Sequence, residues 1–125
     1  MKLLFIILLS TCWLSAFAQK QIKLEDVNTH IGDSVSISAK IDGVKVFVDD
    51  DKKPTRVLLN LGGTYPDQIL TIVVDPSYAM DGKTMPGEST KGSTAKAIGT
   101  VVMYKGKPQI VVRSSKQLDI IAAGQ

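Results

Sequence analysis

The residues of this chain whose types could do chemistry are few and scattered. They are one histidine, His30; three consecutive carboxylates, Asp49, Asp50 and Asp51; a glycine pair, Gly62 and Gly63; one thiol, Cys12; and an aromatic followed by two cations, Tyr104, Lys105 and Lys107. Most of them lack the partners their chemistry needs. His30 has neither a Gly-x-Ser-x-Gly nor a His-Glu-x-x-His around it, so a hydrolytic triad and a zinc site both lack parts. A calcium loop spaces its carboxylates at alternate positions and closes on a downstream glutamate; Asp49 to Asp51 are adjacent and have no such glutamate in register. Gly62-Gly63 precedes Thr64-Tyr65-Pro66 with no lysine and no following helix, so turn chemistry explains it better than phosphate binding. These exclusions predict no catalytic residues, no metal and no cofactor, and therefore a chain that is not an enzyme. What remains is Tyr104-Lys105-Gly106-Lys107-Pro108, an aromatic and two ammonium groups on a corner between two apolar runs.

The elements that must position that corner are legible as a period of two. Val35, Ile37, Ala39 and Ile41 alternate with Ser36, Ser38, Lys40 and Asp42, a half-buried strand. Beyond Gly43 the apolar residues continue at Val44, Val46 and Val48, so the parity switches. A strand cannot change face without a bulge or bend, which predicts one long first strand bent at Gly43 and pairing in two parts. Asp49 to Pro54 is a loop, and Thr55 to Leu61 is a second strand with Val57, Leu59 and Leu61 on one face. Ile69 to Val74 is a third. The stretch PSYAMDGKTMPGESTKGST, rich in Gly, Pro, Ser and Thr, is a long connection with room for at most one helical turn. Ala95 to Tyr104 and Gln109 to Arg113 are the fourth and fifth strands. Ahead of them all, IKLEDVNTHIGDS reads as a short helix with Leu24, Val27 and Ile31 at helical spacing and Gly32 ending it.

Five strands, the first long and kinked, match a five-stranded Greek-key barrel, with another small β-barrel or sandwich as the alternative. The segments LEDVNTHIGDSVSISAKIDGV, VLLNLGGTYPDQILTIVV and GTVVMYKGKPQIVV resemble those of small secreted bacterial OB-fold domains, similar to nucleic-acid-binding OB-folds of the anticodon-binding type. The resemblance covers nearly all of residues 19–125 and implies an all-β, five-stranded Greek-key OB-fold barrel with a short N-terminal helix. It departs from that pattern in one place: such domains carry a helix between strands three and four, where this chain has its glycine-rich connector.

Within an OB-fold the ligand lies across strands two and three, framed by the loops after strands one and four. Parity then assigns the outer face. Lys45 and Phe47 follow the switch; Arg56, Leu58 and Asn60 lie opposite the core side of strand two; Ile69, Thr71 and Val73 share the outer face of strand three. In the final hairpin Val101 and Met103 point inward with Ile110 and Val112, leaving Tyr104, Gln109 and Arg113 outside. The resulting ligand-binding set is Phe47, Arg56, Asn60, Tyr104, Lys105, Lys107 and Arg113, two rings able to stack on bases among cations able to hold phosphates. It predicts a binding module for single-stranded nucleic acid or another extended polyanion. The alternatives are an envelope module that binds a protein or a glycan, and an accessory domain to a separate nuclease. The purely structural reading is that Phe47 covers an open end of the barrel, Tyr104 packs on a neighbouring strand, and the lysines solvate a turn. The acidic loop at Asp49 to Asp51 falls in the same frame and would repel phosphate.

The beginning of the chain predicts its location. Lys2, an apolar run from Leu3 to Leu14 and the small-x-small Ala16-Phe17-Ala18 form a secretory signal peptide over residues 1–18. The run is too short to span a bilayer, which takes about 20 apolar residues, so no transmembrane segment is expected in the mature chain. Export to the periplasm or the extracellular space follows, with acylation of Cys12 as the lesser alternative. The only cysteine leaves with the leader, so residues 19–125 form a single domain without disulfides that must be stabilised by its core. The formal net charge of +3 is too small to argue by itself for a nucleic-acid partner.

Overall fold

Strand alternation governs the computed structural model, which describes residues 19–123. The leader assigned to residues 1–18, with Cys12, lies outside them. The elements are β1 (Lys20–Gln21), a 3-10 helix (Leu24–His30), β2 (Ser34–Val48), β3 (Pro54–Leu61), β4 (Leu70–Val74), two 3-10 helices (Pro76–Asp81 and Glu88–Thr90), β5 (Thr94–Tyr104), β6 (Lys107–Val112), a 3-10 helix (Ser115–Gln117) and β7 (Leu118–Ile121). The five strands expected from sequence are β2 to β6, and β1 and β7 are additional short strands at the sheet edges.

The bend in the long strand is where the parity switch places it. The first half of β2 pairs antiparallel with β5, Ser34 opposite Thr100 through Lys40 opposite Thr94. Its second half pairs with β3, and the register slips between Ile41 and Gly43, where two β2 residues face Asn60 and Leu61 with Asp42 left over. That bulge lets one strand serve two walls. β3 then pairs with β4, β4 runs parallel to β6, and β6 returns antiparallel to β5, which closes the ring on β2. Closure removes the free edges along these strands that would otherwise invite pairing with another chain.

The interior is filled by the inward parity of every strand. Val35, Ile37, Ile41, Val57, Leu59, Leu61, Leu70, Ile72, Val74, Val101, Ile110 and Val112 are all fully buried. Each such side chain contributes on the order of 1.5–3 kcal/mol on leaving water, which is what supports a small domain with no disulfide among its described residues.

Three expectations change. The first helix is a 3-10 helix, and three residues per turn put Leu24 and Val27 on one face with His30 while leaving Ile31 40% exposed. Val27 is fully buried as the plug of one barrel end. The connector between β4 and β5 exceeds a single turn: six residues of 3-10 helix, Pro76–Asp81, and three more, Glu88–Thr90, stand where OB-fold domains of the resembled type have their helix. Asp75 starts the first of these, its carboxylate accepting from the Ser77 amide at 3.1 Å and the Ser77 hydroxyl at 2.7 Å. Finally Met103, expected inside, is 49% exposed. Its cross-strand partner Pro108, one pair beyond Val101 and Ile110, is still buried, so cover is lost on the β5 side of the hairpin alone.

Candidate nucleic-acid interface

The outer face of β3 and β4 is built from aligned rows, because cross-strand partners stand on the same side of a sheet. One row runs Lys45, Leu58, Val73 and Val111 across β2, β3, β4 and β6. The next runs Gly43, Asn60, Thr71, Gln109 and Val102. At one end of these rows Phe47 stands opposite Arg56; at the other Tyr104 stands opposite Lys107. The face is therefore aliphatic and polar in the middle, with an aromatic and cations at each end.

Phe47 is half-buried beneath two cations. The Arg56 guanidinium lies 4.5 Å and the Lys45 ammonium 5.4 Å from the ring centroid, a cation–π arrangement worth about 0.5–1 kcal/mol at an exposed site. Lys45 was passed over as a site residue, yet it shares the face and the ring. The structural reading of Phe47 as an end cover accounts for its half-burial but not for the cations drawn over it.

Tyr104 is 56% exposed and carries the Lys105 ammonium 5.4 Å from its ring, so more than half of it is open to solvent. The hairpin turns on Lys105 and Gly106 with φ of 50° and 82°, both left-handed, as a two-residue type I′ connection requires. Glycine is at home there. Lysine is not, since a left-handed non-glycine residue costs of order 1–3 kcal/mol. Lys107 reaches back, its ammonium 3.5 Å from the Gln68 carbonyl, and so ties the hairpin to the β3–β4 loop.

Asn60 shares the outer face but is covered. It is 6% exposed, and its side-chain oxygen accepts from the Thr71 hydroxyl at 2.9 Å, while the Thr71 oxygen accepts from the Gln68 amide at 3.0 Å. The loop of residues 62–69 folds over this chain, anchored where the Gly63 amide donates to the bulged Asp42 carboxylate at 2.8 Å. A Cβ on Gly63 would stand 2.8 Å from the Asp67 carbonyl, which confirms turn chemistry as the reason for the glycine pair. The same loop exposes Tyr65, at 77%, a ring that sequence parity could not reach because it lies in no strand.

Arg113 follows β6 on the Phe47 side. It stands near Asp75, whose carboxyl is held below its usual range first by the Ser77 hydrogen bonds and then by this arginine. Six residue steps, about 20 Å of extended chain, separate it from Lys107. The acidic loop lies at the Phe47 end, away from the basic hairpin. Its first carboxylate is turned onto its own backbone, Asp49 Oδ1 accepting from the amides of Asp51 at 2.8 Å and Lys53 at 2.9 Å.

A closed ring in this strand order, a parallel β4–β6 pair and a bulged first barrel strand have counterparts among solved structures. An aspartyl-tRNA synthetase from Entamoeba histolytica superposes with a TM-score of 0.58 at 12% identity, over 94% of this chain and 24% of that one. Yeast Stn1 and Ten1 give 0.57 at 10% identity, over 85% and 64%. An aspartyl-tRNA synthetase from Leishmania major Friedlin gives 0.53 at 12%, over 97% and 24%. The fold is an OB-fold. At these identities the likeness concerns the fold alone, and the chain spans about a quarter of each synthetase. No family profile and no curated protein matches the sequence.

Proposed function

We propose that this OB-fold binds single-stranded nucleic acid, or a polyanion of like geometry, across β3 and β4, and that it acts by binding alone. The observation that carries this reading is the pairing of an aromatic ring with cations at both ends of one face: half-buried Phe47 with Lys45 and Arg56, and exposed Tyr104 with Lys105 and Lys107. Stacking on a ring is worth about 1–3 kcal/mol per base and tolerates any sequence, while the cations hold phosphates. Two of the similar structures are named as tRNA synthetases, which is consistent with a nucleic-acid ligand on such a scaffold. The pattern at Lys2, Leu3 to Leu14 and Ala16 to Ala18 supports export as part of the same proposal.

Fluorescence anisotropy of residues 19–125 against labelled single strands, at several salt concentrations, is the test. Binding that weakens with salt and weakens further in Tyr104→Ala supports it; no binding at low salt refutes it. A second reading rests on the row Leu58, Val73 and Val111 together with Val102 of the next row on that face, 40% accessible. That apolar surface suits a protein or glycan partner, or docking onto a separate nuclease, and retrieval of a partner that competes for Tyr104 would favour it.

A further inference from the structure

A second cluster of cations lies off the β3–β4 face. Lys83, Lys96 and Lys116 line one groove of about 330 Å³, floored by Ile98 and Gln117 and carrying a single carboxylate, Asp119. The volume is at the lower end of the range for small-ligand sites, about 300–1,000 Å³. Three separate elements supply the lysines: the turn after the 3-10 helix Pro76–Asp81, the first half of β5, and the 3-10 helix before β7. Asp119 is the cross-strand partner of Lys96. Among the described residues the one ion pair within salt-bridge distance joins His30 to Asp33, and in the groove three ammonium groups face one carboxylate.

The floor of the groove is fixed to the end of the β3–β4 face. The Gln117 side-chain amide donates to the Ile98 carbonyl at 3.1 Å and the Val111 carbonyl at 3.3 Å, and its oxygen accepts from the Arg113 amide at 2.9 Å. One side chain thus locks the groove to β6 and to Arg113. Gly99 admits it: a Cβ there would stand 3.4 Å from the Gln117 nitrogen and 2.7 Å from Ile110. Three like charges gathered around one concavity with a single carboxylate among them repel one another in the free protein, and an anion relieves that repulsion.

We infer that this groove is a phosphate-backbone site, continuing the track of a single strand past Arg113 to Lys116, Lys96 and Lys83. The inference rests on the reading of the β3–β4 face as a single-strand platform. A strand long enough to cover both sites meets three more cations than a short one, and counterion release makes each phosphate contact visible as about 0.7 in the logarithmic salt slope.

The decisive measurement is the salt dependence of anisotropy for a labelled 20-nucleotide single strand, with wild type, the triple variant K83Q/K96Q/K116Q, and a charge-matched control, K20Q/K23Q/K91Q, at exposed lysines elsewhere. The expected result is a slope shallower by about 2 in K83Q/K96Q/K116Q and close to wild type in the control. Backbone amide shifts at Ile98 and Gln117 on titration with the same strand provide a reading independent of affinity. If wild type binds, Tyr104→Ala weakens it, and the triple variant matches the control in slope while Ile98 and Gln117 stay unshifted, the groove assignment is wrong and the platform stands. If wild type does not bind at all, the platform and the groove fall together.

Discussion

At residue scale Lys105 is the position where local energetics and charge are in tension. A type I′ turn favours Asn or Gly at its first central position, and Lys105 holds a φ of 50° there, with its ammonium over Tyr104. Lys105→Asn is therefore expected to raise the denaturant midpoint, by up to about 1 kcal/mol of stability, while making the salt slope of strand binding shallower by about 0.7. Chemical denaturation and anisotropy on the same sample check the two opposite signs. Tyr104→Ala should weaken binding by about 1–3 kcal/mol, roughly 5- to 150-fold, with the salt slope unchanged, because a stacked ring releases no counterion. Asp75 gives a pH signature. Its folded-state pKa lies below the ordinary 3.8, so its contribution is present above that value and lost as pH falls through the depressed one. The stability gap between wild type and Ser77→Ala should be full at neutral pH and narrow on acidification below 3.8, read as melting temperature against pH.

At the scale of elements, the bulge at Asp42 shows why parity is readable and its cause less so. The switch from Ile41 to Val44 locates the bend, but Gly43 is not conformationally required: a Cβ there would meet its neighbours at 3.7 Å, ordinary contact. Gly43→Ala should change stability by less than about 0.5 kcal/mol, whereas Gly63→Ala, with a left-handed φ of 139° and the Asp67 carbonyl at 2.8 Å, should cost well over 1 kcal/mol. Thermal melts of the two variants test the contrast. The five barrel strands were legible because each buries one alternating face. β1 and β7 were not. β1 has two residues, too few for a period, and β7 has four after a polar turn, so their pairing with β2 and β5 follows from where the barrel wall ends. Met103 failed for a related reason: alternation continues along β5 to the hairpin tip, where only the β6 partner, Pro108, is still covered.

At the scale of the whole molecule, the barrel separates opposite charges. The acidic loop and the basic hairpin lie at opposite ends of the β3–β4 face, about 20 Å apart along the strands, more than two Debye lengths at physiological ionic strength. Neutralising Asp50 and Asp51 to Asn should strengthen strand binding at low salt and lose that effect as salt rises, in an anisotropy series run beside Tyr104→Ala, whose loss persists. The repulsion of phosphate expected from Asp49–Asp51 within the binding frame is thus relieved at the hairpin end, while at the Phe47 end the loop stays beside Lys45 and Arg56. Alternation by itself determined the five barrel strands, the bend, the inward residues other than Met103 and the outward parity of Phe47, Arg56 and Tyr104, since burial of one face is a local, periodic requirement. Only the tertiary structure decided that Asn60 is covered by the loop of residues 62–69 and that Lys83, Lys96 and Lys116 meet at one groove. Each of these joins segments distant along the chain, and closure of the barrel, which no local period encodes, is what brings them together.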